Sequence, residues 1–263
     1  MARPIITITT DFGSADSLVG SMKGVILSIQ PDAEIVDITH KILPYDLLDA
    51  ALAIGTAYKF FPPRTIHIVV VDPGVGTERR PVLATAGQHY FVAPDNGVLS
   101  MVYQSEESLT VRHITSEHYF LQPVSNTFHG RDIFSPVAAW LSKNGQSLAF
   151  GEEITDFVRF TLPKPKPAGN GVKGVVLRTD NFGNLLTNFR EEDLPQVLAG
   201  SNFKMRVGTA EISRFAQTFG NGGPNEPILI LGSSGFFEVA VNRGSAAKTT
   251  GAARGTEVSV DFA

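Results

Sequence analysis

The sequence predicts an α/β protein in which an open, mostly parallel α/β domain is followed by a C-terminal antiparallel, β-barrel-like domain. In the first half of the chain, strand patterns alternate with helix patterns, which is typical of a parallel sheet covered by helices. In the second half, short strand patterns follow one another with little helical periodicity. Residues 163–171 alternate proline with lysine and end in glycine, which predicts a linker between domains at residues 1–162 and 172–263.

The N-terminal half contains repeated strand and helix patterns. Residues 5–10 are rich in β-branched side chains and predict a strand, and residues 18–29 carry apolar side chains at helical spacing. A strand at residues 34–38 and a helix that begins at Asp46 repeat this unit. Residues 66–71 are almost continuously apolar, as expected for a parallel strand whose two faces are both covered by helices.

Strand patterns dominate the C-terminal half. They lie at residues 172–178, 185–189, 228–231, 236–241 and 257–262. Short turns rich in glycine and serine join several of them, for example at residues 232–235. This pattern favours a small antiparallel sheet or barrel.

Composition limits the chemistry that this chain can perform. Hydrophobic residues make up 43% of the sequence and charged residues 18%, so a folded core is expected. The net charge is -4, without a long run of like charge, which argues against nucleic acid as the main partner. Because the chain has no cysteine, disulfides, thiolate nucleophiles and cysteine-bound metals are excluded. The absence of a long apolar run predicts a cytoplasmic protein that does not enter a membrane.

Acidic residues follow two predicted strands at the edge where parallel sheets usually bind ligands. Asp11 comes after the first strand, and it can either accept a backbone N–H in a turn or bind a ribose diol. Asp72 follows the apolar strand in a glycine-rich loop that also contains Arg79. The loop lacks the lysine and the following apolar helix of a phosphate-binding loop. Asp72 and Arg79 therefore either share a cleft or form a structural ion pair.

Histidines and a polar turn supply the remaining candidates. His129 stands just before a helical pattern and could face a cleft, whereas His67 lies inside a strand pattern and is expected to point outward or to be a hydrogen-bonded core residue. Without His-x-x-x-His or Glu-x-x-His pairs, no metal site is expected. Residues 179–184 contain Asp180 and Asn184, and they form either a plain hairpin loop or a site that binds an amine and a base edge.

Five motifs occur in order along nearly the whole chain. They are IITITTDFG at residues 5–13, VDPGVG at residues 71–76, APDNG at residues 93–97, FHGR at residues 128–131 and DNFGN at residues 180–184. In this order they resemble the S-adenosyl-L-methionine (SAM) hydroxide adenosyltransferase family, which is related to fluorinating and chlorinating enzymes that act on SAM. The resemblance implies an N-terminal α/β domain, a C-terminal barrel-like domain and a homotrimer with active sites between neighbouring subunits. It implies no cofactor and no metal.

The resemblance also implies roles for individual residues. It implies that Asp72, Arg79 and His129 form the catalytic set. The residues implied to bind substrate are Asp11 at the ribose, Tyr45 at the methionine side, Asp180 at the amino group, Asn184 at adenine, Ser233 and Ser234 at the carboxylate, and Phe219 and Arg243 on the adenine side.

Two positions distinguish hydrolysis from halogenation within this resemblance. This chain has Asp72 where the halogenating enzymes have tyrosine, and Gly130 where the fluorinating enzyme has the serine that meets the halide. A fixed carboxylate repels a halide, but it accepts a proton from water and suits a sulfonium cation. The expected reaction is therefore attack of water or hydroxide on ribose C5′, which releases adenosine and methionine. Because Arg79 does not deprotonate, the proton is expected to leave toward Asp72, directly or through His129.

Three alternatives remain open at the level of sequence. The same fold could catalyse halide-dependent adenosyl transfer, and 5′-halo-adenosine would reveal it. A non-catalytic sensor could bind SAM or adenosine through Asp11, Asp180 and Asn184, without turnover. A phosphatase of the haloacid dehalogenase type, which Asp11 after the first strand suggests, is disfavoured because no Asp-x-Asp motif follows.

Overall fold

A computed structural model describes residues 3–144 and 146–262, with the side chain of Asn144 excepted. The chain divides into two compact units, residues 1–161 (the N-terminal unit) and residues 162–263 (the C-terminal unit). In the part of the chain that is described, no helix has the length and apolar character needed to cross a membrane.

The N-terminal unit is built on a seven-stranded sheet. Its strands are β1 (Ile5–Thr10), β2 (Glu34–Thr39), β3 (Ile66–Val70), β4 (Pro81–Ala86), β5 (His89–Pro94), β6 (Leu109–His113) and β7 (Glu153–Ile154). Its α-helices are α1 (Leu18–Ile29), α2 (Leu47–Ala57), α3 (Ser100–Ser105) and α4 (Ser135–Asn144). The strand order is β2-β1-β3-β5-β4-β6-β7.

The four strands at one side of this sheet are parallel, as predicted. Strand β1 pairs in parallel with β2 and β3, and β3 pairs in parallel with β5. Strands β4, β6 and β7 add antiparallel pairings that the sequence patterns did not reveal. The β4–β5 hairpin turns at Gly87, whose positive φ of 55° suits a residue without a side chain. The mixed α/β class with a mostly parallel sheet is confirmed.

Helices cover both faces of the central strand. Every residue of β3 is buried. Ile66 and Ile68 belong to the core cluster that also contains residues of α1 and α4, whereas Val69 belongs to the cluster that contains residues of α2 and α3. Helix α2 begins where predicted, because the Asp46 side chain accepts a hydrogen bond from the Asp49 backbone N–H.

His67 is a hydrogen-bonded core residue, which was one of its two predicted states. Its side chain is fully buried, and its Nδ1 lies 2.7 Å from the Thr7 hydroxyl. Burial, with a smaller contribution from His89, lowers the His67 pKa to about 3. The ring is therefore neutral at pH 7 and belongs to the core of the N-terminal unit.

The C-terminal unit contains an eight-stranded antiparallel sheet. Its strands are β8 (Lys166–Ala168), β9 (Gly171–Thr179), β10 (Leu185–Arg190), β11 (Phe203–Val207), β12 (Ala210–Ile212), β13 (Pro227–Leu231), β14 (Phe236–Val241) and β15 (Glu257–Phe262). Two short α-helices, α5 (Pro195–Leu198) and α6 (Ala246–Thr250), complete it. The order is β12-β11-β15-β9-β10-β14-β13, and β8 pairs with β9.

This sheet curls into a nearly closed barrel. Its two end strands, β12 and β13, contact each other, and a bridge between Phe215 and Leu229 forms beside them. The interior is apolar and includes Phe189, Met205 and Phe237, all fully buried. The predicted antiparallel, barrel-like fold is confirmed for this half.

Candidate active site

Asp72, Arg79 and His129 meet within the N-terminal unit. The Arg79 Nε donates to both Asp72 oxygens, at 3.0 Å to Oδ1 and 2.9 Å to Oδ2, and Nη2 adds a short bond to Oδ2. The same Nη2 lies 2.7 Å from His129 Nδ1. The side chains of Asp72 and Arg79 are only 5% and 9% exposed. The structure thus joins three residues that are up to 57 positions apart, since 129 less 72 is 57.

The contact with arginine determines the protonation of His129. Arginine only donates hydrogen bonds, so His129 Nδ1 must be the acceptor and the neutral ring carries its proton on Nε2. Burial and the Arg79 charge lower the His129 pKa, while Asp72 and Asp132 act in the opposite direction. His129 is therefore neutral at pH 7, and Asp72 is the group of this set that can take up a proton.

The loop that carries Asp72 and Arg79 is a series of tight turns. The Val75 N–H donates to the Asp72 carbonyl at 3.3 Å, and the Thr77 N–H donates to the Gly74 carbonyl at 3.2 Å. Gly76 has a φ of 77°, and a Cβ there would lie 2.2 Å from the Asn126 carbonyl oxygen. Only glycine fits this close approach. Strand β4 follows the loop, so the structure agrees with a turn and not with a phosphate-binding loop.

Arg79 keeps unused hydrogen-bonding capacity. Its Nη1 is buried and has no hydrogen-bond partner among the described residues. The guanidinium lies over the Phe134 ring, 5.3 Å from the ring centre. A buried donor without a partner is unfavourable, so Nη1 is suited to an oxygen atom of a water or substrate.

A π-helical turn positions His129 before helix α4. The turn spans Gly130–Phe134, and the Ser135 hydroxyl donates to the Gly130 carbonyl at 2.7 Å. The buried Asp132 side chain accepts the Ser125 backbone N–H at 2.8 Å, which ties the preceding loop to this turn. A Cβ on Gly130 would lie 3.2 Å from the Met22 sulfur, so a larger residue there requires neighbouring side chains to move.

Asp11 and Tyr45 also lie together in the N-terminal unit. The Tyr45 backbone N–H donates to Asp11 Oδ2 at 2.9 Å, so Asp11 accepts a backbone N–H as a loop residue, from a loop 34 positions away and not within its own turn. Tyr45 has a positive φ of 66°, and 71% of the residue is exposed. Asp11 thus shapes the loop that presents the Tyr45 ring to solvent.

Five predicted binding residues line one cavity of the C-terminal unit. This cavity has a volume of about 940 Å³, and the five are Asp180, Asn184, Phe219, Ser233 and Arg243. Ser234 is not part of the lining, although its hydroxyl is buried and has no partner among the described residues.

Asp180 organises the turn that borders this cavity. Its Oδ1 accepts the backbone N–H groups of Phe182 and Asn184, both at 2.8 Å, and its Oδ2 accepts the Asn184 side-chain amide at 2.8 Å. Gly183 has a φ of 88°, and a Cβ there would strike the Ser245 hydroxyl at 2.1 Å. The hairpin-loop alternative is therefore correct as a description of the turn, and the same residues line the cavity.

Sequence reasoning missed Glu238, which lines the same cavity from strand β14. Burial raises the Glu238 pKa, as does the nearby Asp180 charge, whereas Arg178 lowers it. A Cβ at Gly232 would lie 2.1 Å from a Glu238 carboxylate oxygen, so glycine makes room for this side chain. An acidic residue within an otherwise apolar strand was the available signal. Within residues 3–144 and 146–262, no three acidic or histidine side chains are placed to hold a metal ion.

Comparisons with known proteins agree in both halves of the chain. Residues 6–151 match the SAM hydroxide adenosyltransferase N-terminal domain, and residues 174–259 match the corresponding C-terminal domain. The (R)-S-adenosyl-L-methionine hydrolase of Salinispora tropica is 35% identical, over 98% of this chain and 97% of the relative. A fluorinase from Actinoplanes is 27% identical, over 91% of each chain.

A solved structure shows the same fold. The crystal structure of an uncharacterized conserved protein from Thermotoga maritima superposes with a TM-score of 0.90 at 36% identity, and the match covers 97% of this chain and 99% of that chain. Both domain matches, the full-length relatives and the shared fold lead to one conclusion. The chain belongs to the SAM hydroxide adenosyltransferase family.

Proposed function

We propose that this protein hydrolyses SAM to adenosine and L-methionine by in-line attack of water on ribose C5′. The observation that carries the proposal is the contact of the buried Asp72 and Arg79 side chains with the half-buried His129 in a chain of this family. Four relatives at 32% to 35% identity are named (R)-S-adenosyl-L-methionine hydrolase, which supports the same activity here.

The reaction forms one bond to ribose C5′ and breaks another bond at the same carbon. The water oxygen bonds to C5′ while the C5′–sulfur bond breaks, and its electron pair stays on sulfur, which becomes the neutral thioether of methionine. The proton of water passes to Asp72 as the C–O bond forms and then to solvent. Because the sulfonium is already an excellent leaving group, no acid has to protonate it. Positioning of the water contributes at most about 7–11 kcal/mol to lowering the barrier.

The hydrogen-bond pattern divides the work among the three side chains. Asp72 is the proton acceptor, because Arg79 does not deprotonate and His129 Nδ1 is engaged with Arg79. Arg79 holds the Asp72 carboxylate, and its buried Nη1 donates to the attacking oxygen. His129 fixes the guanidinium through Nδ1, so that the water accepts one hydrogen bond from Arg79 and keeps a lone pair for C5′.

We assign the substrate groups to the remaining predicted residues. Asp11 binds the ribose diol, Asp180 the amino group and Asn184 the adenine edge. The other assignments are Ser233 and Ser234 to the methionine carboxylate, Phe219 and Arg243 to the adenine side, and Tyr45 to the methionine side. Their support is the shared cavity for the C-terminal residues other than Ser234, the buried unpartnered hydroxyl for Ser234, and the contact between Asp11 and the exposed Tyr45 loop.

We further propose a cytoplasmic homotrimer with active sites between neighbouring subunits. The exposed aromatic ring of Tyr45 is consistent with a surface that a second subunit covers. Light scattering coupled to size-exclusion chromatography tests the assembly. A mass of three chains supports it, and a monomer that is fully active contradicts it.

The decisive experiment is product analysis after incubation with SAM in water labelled with oxygen-18. Adenosine with the label in its 5′ hydroxyl supports attack on the ribose carbon. Adenosine without label, or no turnover despite SAM binding, contradicts the proposal, and the latter would favour a sensor. Asp72→Asn, prepared in parallel, controls for contaminating hydrolase.

Halide-dependent adenosyl transfer is the second candidate, because fluorinases are among the relatives. The Asp72 carboxylate repels an anion, and Gly130 leaves no hydroxyl to meet a halide. We therefore expect no 5′-halo-adenosine when chloride or fluoride is added to the reaction. Formation of 5′-halo-adenosine would favour halide-dependent adenosyl transfer over hydrolysis.

A further inference from the structure

The APDNG motif at residues 93–97 has no role in the mechanism described above, although it lies beside the catalytic loop. Strand β5 ends at Pro94, and it pairs in parallel with β3, which ends at Val70. The turns that follow parallel neighbouring strands emerge at the same edge of a sheet. Asp95 and Asn96 are therefore adjacent to the loop that carries Asp72 and Arg79.

Asn96 holds the start of that loop. Its side-chain Nδ2 donates to the Val71 carbonyl at 2.9 Å, and Val71 directly precedes Asp72. Its Oδ1 accepts the Val98 backbone N–H at 3.1 Å. One end of the amide must donate and the other must accept, which asparagine provides and aspartate does not.

Asp95 holds the end of the loop. Its backbone N–H donates to the Arg80 carbonyl at 2.8 Å, and Arg80 directly follows Arg79. Its Oδ2 accepts the Arg80 Nε at 2.9 Å and Nη2 at 2.7 Å, while its Oδ1 accepts the Val158 backbone N–H at 2.7 Å. The Asp95 side chain is 2% exposed, so these bonds are shielded from water.

We propose that Asp95 and Asn96 are positioning residues that clamp both ends of the loop and thereby set the geometry of Asp72 and Arg79 around the attacking water. The inference rests on the proposed hydrolysis. Between the clamped ends, residues 73–78 are largely exposed or half-buried, so the bonds of Asp95 and Asn96 attach the internal turns of this segment to the sheet. A displacement of about 1 Å at a reacting group can reduce a rate by about 100-fold.

Asn96→Asp is the sharpest test, because it preserves the shape of the side chain. It places a carboxylate oxygen against the Val71 carbonyl in place of the donor. We expect kcat to fall by about 100-fold while KM for SAM changes by less than about twofold, since no proposed binding group is altered. An unchanged kcat would overturn the proposal.

The C-terminal unit offers a matched control with the same bonding pattern. Asn188 donates its Nδ2 to the Pro163 carbonyl at 2.7 Å and accepts the Val175 backbone N–H on Oδ1 at 2.7 Å. Asn188→Asp therefore imposes the same chemical conflict on a backbone of the C-terminal unit. We expect it to lower thermal stability to a similar degree and to leave kcat of the folded fraction unchanged. An equal loss of kcat in both variants would show a merely structural effect.

A second measurement does not depend on activity. The His129 pKa is lowered by burial and by Arg79, with Asp72 and Asp132 opposing. Asp95→Asn should loosen the end of the loop next to Arg79. We therefore expect the His129 pKa, measured by NMR titration, to rise toward its ordinary value in this variant. The control Asn188→Asp should leave the His129 pKa unchanged. A His129 pKa that stays the same in Asp95→Asn contradicts the clamp. If wild-type protein releases no adenosine, the proposed function fails, and this titration still tests the clamp.

Discussion

The two units differ in how their candidate residues are held. In the N-terminal unit, Asp72, Arg79 and His129 are bonded to one another, with little exposure to solvent. In the C-terminal unit, the candidate residues line an open cavity, and Phe182 and Phe219 are 77% and 48% exposed beside it. Catalytic groups gain from being fixed before the substrate arrives, because no reorganisation is then needed in the transition state. Recognition groups can complete their contacts when the ligand binds.

The loops of the two units are also built differently. The catalytic loop depends on contacts with residues distant in sequence, such as Asn96 and Asn126. The Asp180 turn is held by bonds to Phe182 and Asn184, two and four positions away. We therefore expect substitutions in the loop of Asp72 and Arg79 to change kcat, and substitutions in the Asp180 turn to change KM.

Asp72→Asn should have the largest effect of the substitutions considered. A small effect would contradict the proposed difference between the two units. Asparagine keeps the shape of the side chain but cannot take up the proton, so kcat should fall by about 100-fold to 10,000-fold. Single-turnover release of adenosine is the measurement. Glu153→Gln, which removes a surface ion pair with Arg112 in the same unit, should retain the wild-type rate. Equal rates for the two variants would remove Asp72 from the mechanism.

Asp180→Asn should act mainly on binding. The new side chain retains an oxygen for the N–H groups of Phe182 and Asn184, but it loses the charge that we propose binds the substrate amino group. Loss of a charged hydrogen bond of about 1.5–3 kcal/mol predicts a KM increase of about 10-fold to 100-fold with kcat nearly constant. Steady-state kinetics with thermal melting separates binding from folding. A fall in kcat at constant KM would contradict the division between the two units.

The buried His67 should affect stability and not catalysis. Its pKa is about 3 in the folded protein and about 6.5 when unfolded, so the unfolded chain binds the extra proton between these values. Stability is therefore lost as the pH falls from about 6.5 toward 3, by about 2 kcal/mol between pH 7 and pH 5. Urea unfolding at both pH values should show this loss in wild type and a smaller loss in His67→Gln. A steep loss in His67→Gln would contradict the assignment.

Ser234→Ala should have the smallest effect of these substitutions. It tests whether Ser234 in the C-terminal unit binds substrate. The hydroxyl is buried without a partner among the described residues, so its removal should leave the free energy of unfolding unchanged or slightly raised. If the hydroxyl binds the methionine carboxylate, KM should rise about fivefold, in line with one hydrogen bond of about 1 kcal/mol. Isothermal unfolding and steady-state kinetics measure the two effects. A marked loss of stability without a change in KM would make Ser234 a structural residue.

The spacing of apolar residues in the sequence predicted several helices and strands closely. Helix α1, the Asp46 start of α2 and strands β13 to β15 lie close to their predicted bounds. The sequence patterns did not indicate strands β4 to β7, and a strand pattern by itself does not give the direction of its neighbour. Glu238 was not predicted as a cavity residue, because its position depends on which face of β14 is covered.

The chain alone determined the chemical types available: a carboxylate after two of the early strands, an arginine seven positions after Asp72, a histidine before a helix and no thiol. These properties are local, since each follows from the side chain and its immediate pattern. Only the tertiary structure decided that Arg79 bonds both Asp72 and His129, which ring nitrogen of His129 accepts, and that Asn96 holds the backbone at Val71. Those facts depend on distances between residues far apart in sequence, and such distances are set by the packing of helices on both faces of the sheet.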